Sequence, residues 1–428
     1  MSRHIDFKSI GLATFLLTSC LVAAEEHIVL TLERAAEAAV QDNPNLAQML
    51  ARSKAMAAIP PQVGALPDPT ISFNALNLPV DTFNTAQENM TQLQVGVSQS
   101  IPFPGKLNLR EDAATFEAGA VALDATELRS RLLGDVKTTW WLLFYLDRTL
   151  KIVENNRTLL RQFVEITRTK YEVGEGLQQD VLLAQLELSK LLDKLIKLKG
   201  LRNNAVAQLN TLLNRAAVQT IRLPETCEQR LPGIISVKAL YHLAKESRAV
   251  LAAQHQSINA ARSRLDLAEK EFYPDFNLGA FYGVRDQTLS GLERADFVSV
   301  KLSMNVPLFA YRKQTKAVDQ RTSELMQQQY ALQDKWNNVR SQISQAFNDY
   351  QRAKTRFVLF KTGIIPQARQ TVASMLAGYQ VNKVDFLNLV RSQITLFEYE
   401  TQYWKTFTEA NQALAQLTAA VGKEEIYE

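Results

Sequence analysis

Gln92-Leu-Gln-Val-Gly-Val-Ser-Gln-Ser-Ile-Pro102 is the stretch on which the fold turns. In an extended chain Leu93, Val95, Val97 and Ile101 fall on one face and Gln92, Gln94, Gly96, Ser98 and Ser100 on the other. That period of two marks a strand wetted on one side only. The pattern returns once: Val298, Val300, Leu302, Met304 and Val306 oppose Ser299, Lys301, Ser303 and Asn305, again ending on a proline, Pro307. Each has a weaker companion upstream. Ile71, Phe73 and Ala75 alternate with Ser72 and Asn74, and Phe276, Leu278, Ala280, Tyr282 and Val284 alternate with Asn277 and Gly279. Four strands are expected, over 70–78, 91–101, 275–284 and 296–306.

The duplication reaches beyond the strands. Leu66-Pro67-Asp68-Pro69 recurs as Tyr273-Pro274-Asp275, Val95 to Pro102 as Val300 to Pro307, and Tyr171-Glu-Val-Gly174 as Tyr379-Gln-Val-Asn382. Three matches at one spacing of about 206 residues make two structural repeats, over 25–215 and 235–428. A linker over 216–234, holding Pro224, Cys227, Pro232 and Gly233, joins them. Of the thirteen prolines, Pro60, Pro61, Pro67, Pro69, Pro102, Pro104, Pro274 and Pro307 stand at the helix-strand junctions, where a residue without an N–H ends a helix and spares the ladder.

The rest of each repeat reads as helix. No proline occurs from Leu107 to Tyr171, and Ala114, Ala118, Val121, Ala125, Leu128 and Leu132 keep 3/4 spacing, so one helix over 107–171 would run ~97 Å. The returning segment over 177–213 is in heptad register at 177, 181, 184, 188, 191, 195, 198, 202, 205, 209 and 212, apolar at every position but Arg202, which predicts coiled-coil packing. A second pair is expected over 312–379 and 385–420, its register kept with smaller residues and with a kink at Pro366 beside Gly363. Ahead of each strand pair stands one shorter helix, the first over 31–59.

Composition narrows the function. A chain of 428 residues, 46% hydrophobic and 21% charged, is neither disordered nor fibrous. Its 48 basic and 44 acidic residues are too evenly balanced for a nucleic-acid footprint. Arg3 and Lys8 precede an apolar run from Ile10 to Leu17 and then Val22-Ala23-Ala24, the grammar of a signal peptide over 1–24. Leu17-Thr18-Ser19-Cys20 makes Cys20 a lipidation candidate, with cleavage after Ala24 the favoured alternative. No later stretch is long and apolar enough for a membrane-spanning helix. The four strands have the length and alternation of transmembrane barrel strands, yet single-chain barrels begin at eight, and an open sheet in lipid leaves edge N–H and C=O groups unsatisfied. Such a sheet must be shared between more than one copy of the chain.

Val97-Ser-Gln-Ser-Ile-Pro-Phe-Pro-Gly-Lys106, Gly64-Ala-Leu-Pro-Asp-Pro69 and the turn Tyr171-Glu-Val-Gly174 with Asp180-Val181 resemble the TolC-type outer-membrane efflux channels over essentially the whole mature chain. The Pro-Phe-Pro-Gly-Lys form, preceded by Leu76-Asn-Leu-Pro-Val-Asp81, is similar to the branch serving heavy-metal pumps of the RND type. The resemblance implies a mainly α fold with a small β part: a homotrimer whose four transmembrane β-strands per chain form one 12-stranded barrel, continued by a long α-helical coiled-coil barrel through the periplasm. It also implies a periplasmic adaptor and an inner-membrane RND-type transporter as partners, besides outer-membrane lipid.

No Walker loop, GxGxxG, HExxH or GxSxG motif is present, and the four histidines lack ligand spacing, so neither an enzyme, a cofactor nor a metal site is expected. Function falls instead on the two helix-to-helix turns. Gly174 and Gly176 can take positive φ and reverse the chain, and Asn382 is the next most tolerant residue. By resemblance, Tyr171, Val173, Gly174, Gly176, Leu177, Asp180 and Val181, with Tyr379, Val381 and Asn382, form an adaptor-facing tip. The family's constriction carboxylates fall on Asn388 and Arg391, leaving Glu175, Asp180 and Asp385 as acidic gate candidates. Trp140, Trp141, Phe144 and Tyr145 read as core, whereas Phe272, Tyr273, Phe276, Phe281 and Phe309 lie near strand ends, with Tyr273 and Phe309 expected in an interface girdle. Drug efflux, type I protein secretion and a periplasmic adaptor with helical hairpins are the alternatives; an adaptor would carry one hairpin, not a duplicated one.

Overall fold

The computed structural model describes residues 29–424 with Ile426 and Tyr427; the expected signal peptide and Cys20 lie outside the described residues. Helices α1 (Leu32–Asp42), α2 (Pro44–Ala57) and α3 (Ile59–Gly64) lead into strands β1 (Thr70–Leu76) and β2 (Gln92–Ile101), followed by α4 (Lys106–Glu172) and α5 (Gln178–Leu212). The second half repeats the plan with α6 (Val237–Ser247), α7 (Ala249–Lys270), β3 (Phe276–Val284), β4 (Phe297–Met304), α8 (Gln314–Leu359), α9 (Ile365–Gln380) and α10 (Phe386–Val421).

The strands form one antiparallel sheet in the order β1-β2-β3-β4. The repeats agree residue for residue: Thr70 faces Ser98 in the first hairpin, and the matching Asn277 faces Ser303 in the second. Polarity is inverted relative to a soluble sheet. Leu93, Val95 and Val97 are exposed while Gln92, Gln94 and Gly96 between them are buried. Rows such as Ile71, Val97, Ala280 and Val300 cross the whole sheet on the apolar face. Phe281 departs from expectation. It is mid-strand on the polar face, its ring across Gly96, where a Cβ would come within 2.0 Å of it. Tyr273 stacks on Phe103 at 4.5 Å between ring centres, and Phe309 stands 75% exposed.

The helices obey ordinary polarity. Ala184, Leu191, Leu195, Leu198, Ala205 and Leu209 of the α5 heptad are buried against α4. Arg202, the one polar member, reaches Asp147 of α4 at 2.6 Å and the carbonyl of Ile221. Trp140, Trp141 and Phe144 are core, with Trp141 edge-on to Phe407, and the Trp140 indole donates to the Leu30 carbonyl at 3.0 Å. Above them α4 buries Ala113, Ala114, Ala120 and Ala125 where it packs on α7, whose buried residues include Ala253, Ala260, Ala261 and Ala268. Small residues on both sides let the two helices approach closely.

Two corrections follow. The helix expected over 31–59 is broken at Asn43, which precedes Pro44 and so leaves the helical region (ψ 118°), while its side chain caps the N–H groups of Asn45 and Leu46. The second repeat breaks at the equivalent Arg248 (ψ 113°). The long helix expected over 312–379 is interrupted by a π-helical turn at Phe360–Ile364, closed by the Ile365 N–H on the Phe360 carbonyl, immediately before Pro366, which has no N–H to continue the ladder.

Candidate functional site: the paired hairpin tips

Helices α4 and α9 end in the same way. After α4, Gly174 takes φ +77°, its N–H donates to the Tyr171 carbonyl at 3.1 Å, and the Glu175 N–H reaches back to Lys170 at 2.8 Å. After α9, Asn382 takes φ +56°, with N–H bonds from Asn382 to Tyr379 at 3.1 Å and from Lys383 to Gly378 at 2.9 Å. Both are Schellman closures, one on glycine and one on asparagine. Gly176 does not take positive φ. Its constraint is contact: a Cβ there would sit 3.0 Å from that of Lys170. In the second tip the glycine has changed sides, since the equivalent pair is Gly378 and Val384, and a Cβ on Gly378 would meet Val384 Cγ2 at 2.6 Å. Each turn admits one side chain at this contact, on opposite sides.

The two turns are tied together. Lys170 Nζ donates to Asn382 Oδ1 at 2.7 Å and stands 4.5 Å from the centre of the Tyr379 ring. Tyr379 packs on Phe386, which meets Phe163 of α4. Equivalent tyrosines thus differ: Tyr379 is 9% exposed and braces the tip, whereas Tyr171 is at the surface with Val173, Leu177 and Val381. Val181 is half-buried, and Glu175, Asn388 and Arg391 are exposed. Asp180 opens α5 and Asp385 precedes α10. Burial and the Asp385 carboxylate hold Asp180 above the ordinary carboxylate range, against a hydrogen bond from the Leu177 backbone. Burial, and then Asp180, raise the Tyr379 phenol. The structure therefore brings Asp180, Asp385, Tyr379 and Lys170 together. Lys170 escaped the sequence reading because its repeat equivalent is a glycine, so comparing the repeats hides it.

A second constellation stands at the other end of α4. Lys106, fully buried, donates from Nζ to Asp275 at 2.9 Å, to Glu271 at 3.1 Å and to the Tyr273 carbonyl at 3.0 Å. Asp275 also accepts the Phe103 N–H at 2.8 Å. The cation of the first repeat is thus clamped by the second where sheet becomes bundle. Lys106 closes the Pro102-Phe-Pro-Gly-Lys106 stretch and Asp275 the Tyr273-Pro-Asp275 stretch, and nothing in their spacing along the chain pairs them. Among the described residues no group of three or more His, Cys, Asp or Glu is arranged to hold a metal ion.

Comparisons with known proteins agree with this architecture. "Outer membrane efflux protein BepC" of Brucella suis biovar 1 (strain 1330) is 24% identical over 72% of this chain and 65% of its own length. "Alkaline protease secretion protein AprF" of Pseudomonas aeruginosa is 23% identical over 56% of this chain and 51% of its own. The matches thus span less than two thirds of these relatives. A solved structure of CusC, from a study of folding and transmembrane channel formation, superposes with a TM-score of 0.77 at 16% identity, covering 93% of each chain. The profile of the family described as "Outer membrane efflux protein" matches residues 35–215 and 240–423, one segment for each repeat, and the chain belongs to that family.

Proposed function

We propose that three copies of the chain close their sheets into one 12-stranded barrel across the outer membrane and continue it as a helical tunnel through the periplasm, so that the protein is the passive exit duct of a tripartite efflux pump. The observation that carries this reading is the four-stranded sheet with inverted polarity, whose two outer edges have no strand partner among the described residues. In lipid those edges must be paired, and the apolar rows then face acyl chains while the polar face lines water.

The tip, formed by the exposed Tyr171, Val173, Gly174, Leu177, Val381 and Asn382 with the half-buried Gly176, Asp180 and Val181, is the surface offered to a periplasmic adaptor that couples the duct to an inner-membrane RND-type transporter. Tyr379 supports it from beneath. Asp180 and Asp385, with Glu175 nearby, form the gate, and their repetition around the ring favours cations. Heavy-metal cations are the cargo that the resemblance of Pro102 to Lys106 and of Leu76 to Asp81 supports. The printed name of AprF favours a second reading, the outer-membrane factor of a protein secretion system.

Protein extracted from outer membranes is expected to run as a trimer on unheated gels and to conduct ions in planar bilayers. Deleting the gene should lower tolerance to one or more heavy metals, whereas loss of a secreted protein instead would favour the second reading. A monomer recovered from the soluble periplasm would falsify both.

A further inference from the structure

Each repeat in a closed ring has two neighbours, one inside its own chain and one in the next copy. Only the first seam lies within the chain, where β2 pairs with β3 from Leu93 opposite Val284 to Ile101 opposite Phe276. The outer edges of β1 and β4 have no strand partner among the described residues. Because the two hairpins share one register, carried by the equivalences Pro67 with Pro274 and Pro102 with Pro307, the inner seam can be transferred to the outer one without a free parameter.

We propose, resting on the reading of the chain as a closed barrel, that β4 of one copy pairs with β1 of the next with Leu302 opposite Phe73, and that Asp68 of the incoming copy takes at that junction the place Asp275 holds inside the chain. The transfer turns Val97 opposite Ala280 into Leu302 opposite Phe73, Gln99 opposite Leu278 into Met304 opposite Ile71, and Ser98 opposite Gly279 into Ser303 opposite Ser72. Side-chain chemistry, which did not enter the transfer, agrees with it. Met304, Leu302 and Val300 meet Ile71, Phe73 and Ala75 on the apolar face, and Ser303 and Lys301 meet Ser72 and Asn74 on the polar face. A slip of one residue would set every apolar side chain against a polar one.

A slip of two residues would preserve that match, and Asp68 decides against it. Inside the chain Asp275 accepts the Phe103 N–H at the head of the seam. The equivalent groups are Asp68 and the Leu308 N–H, which within one copy turns back on the Val306 carbonyl at 2.9 Å and exchanges that tight turn for the incoming carboxylate when the ring closes. Asp68 is exposed and has no hydrogen-bond or ion-pair partner among the described residues. A two-residue slip would carry it about 7 Å away from that N–H. The lysine of the inner clamp has no counterpart, since Tyr311 stands where Lys106 would be. The outer junction therefore lacks the buried cation and is the weaker of the two. The helices leave the same sides open: α4 and α10 join the repeats within the chain, while α5 carries exposed Leu182, Leu186 and Ile196 on its free flank.

The test is oxidative cross-linking of the full-length protein in outer membranes, in a Cys227→Ala background. Leu302→Cys is combined with Phe73→Cys, and Ser303→Cys with Ser72→Cys, because successive pairs alternate between the near and far kinds. The shifted combinations Leu302→Cys with Ile71→Cys and with Ala75→Cys, and the single cysteines, complete the set. Covalent dimers and trimers on heated, non-reducing gels are expected from one or both in-register pairs and from neither shifted pair. Preferential linkage of a shifted pair, with the trimer intact, would overturn the register and leave the channel reading standing. Absence of any trimer and of any cross-link would sink both. Asp68→Ala should lower the temperature at which the trimer dissociates and leave the helical content unchanged; an unaltered dissociation temperature would remove Asp68 from the junction.

Discussion

The sheet and the helical bundle spend the same residue types in opposite directions. In the bundle Phe144 is fully buried among Trp140, Trp141 and Trp404, and charges such as Glu172 and Lys197 face out. In the sheet Val300 is 74% exposed and Gln92 and Gln94 are buried. The difference teaches which solvent each region was built for. A helix satisfies its own backbone, so the bundle can present flanks to water. A strand cannot, so the sheet is incomplete until another edge meets it.

Matched substitutions can break this contrast. The largest effect is expected from Phe144→Ala, which opens a cavity in the bundle and should cost about 3–5 kcal/mol, against less than about 0.5 kcal/mol for Phe309→Ala, which is already exposed. Thermal unfolding of the detergent-solubilised protein, followed by helical circular dichroism, measures both; equal losses would erase the distinction. Next comes charge on the two faces of one strand. Val300→Lys should cost about 2–4 kcal/mol in lipid and reduce outer-membrane trimer, while Ser303→Lys on the opposite face should be tolerated. Comparable trimer yields would mean that both faces see water.

Lys106→Met tests the joint between the regions. It leaves Asp275 without its direct cation and Glu271 with only Arg110, 3.8 Å away, and because both carboxylates are partly exposed the loss should be about 2–3 kcal/mol rather than more. A lower trimer dissociation temperature, with sheet and bundle each still formed, is the expected result. The smallest effect belongs to the tip. Asp180 is held above its ordinary range in the folded tip, so its stabilising contribution is complete at low pH and is lost as pH rises through that raised value. Asp180→Asn should therefore be more stable than the parent at neutral pH, by well under about 1 kcal/mol, and the two melting curves should converge in acid. A difference that persisted in acid would remove burial of the carboxylate and Asp385 repulsion together as its cause.

Much of this was legible in the residues, and the reason is local. Period-two alternation at Leu93, Val95 and Val97 and the flanking prolines specified strands whose ends moved by no more than two residues. Heptads specified α5, and Asn382 announced its positive φ because few other side chains tolerate it. What escaped depends on partners remote in the chain. Phe281 shares the face of Asn277 and Gly279 by simple alternation, but the room for its ring comes from Gly96 of another strand, which alternation does not reveal. Tyr171 and Tyr379 occupy equivalent positions, and only the second is covered, by Lys170 and Phe386.

Alternation and proline spacing, being properties of neighbouring residues, were sufficient for the duplicated hairpin-and-helix plan and for a sheet too small to seal itself. The break at Asn43 is local as well, since Pro44 follows it, but the buried Lys106 clamp and the Lys170 bridge between tips arose from packing. Each of these two depends on segments brought together from distant parts of the chain, and no local period encodes such a meeting.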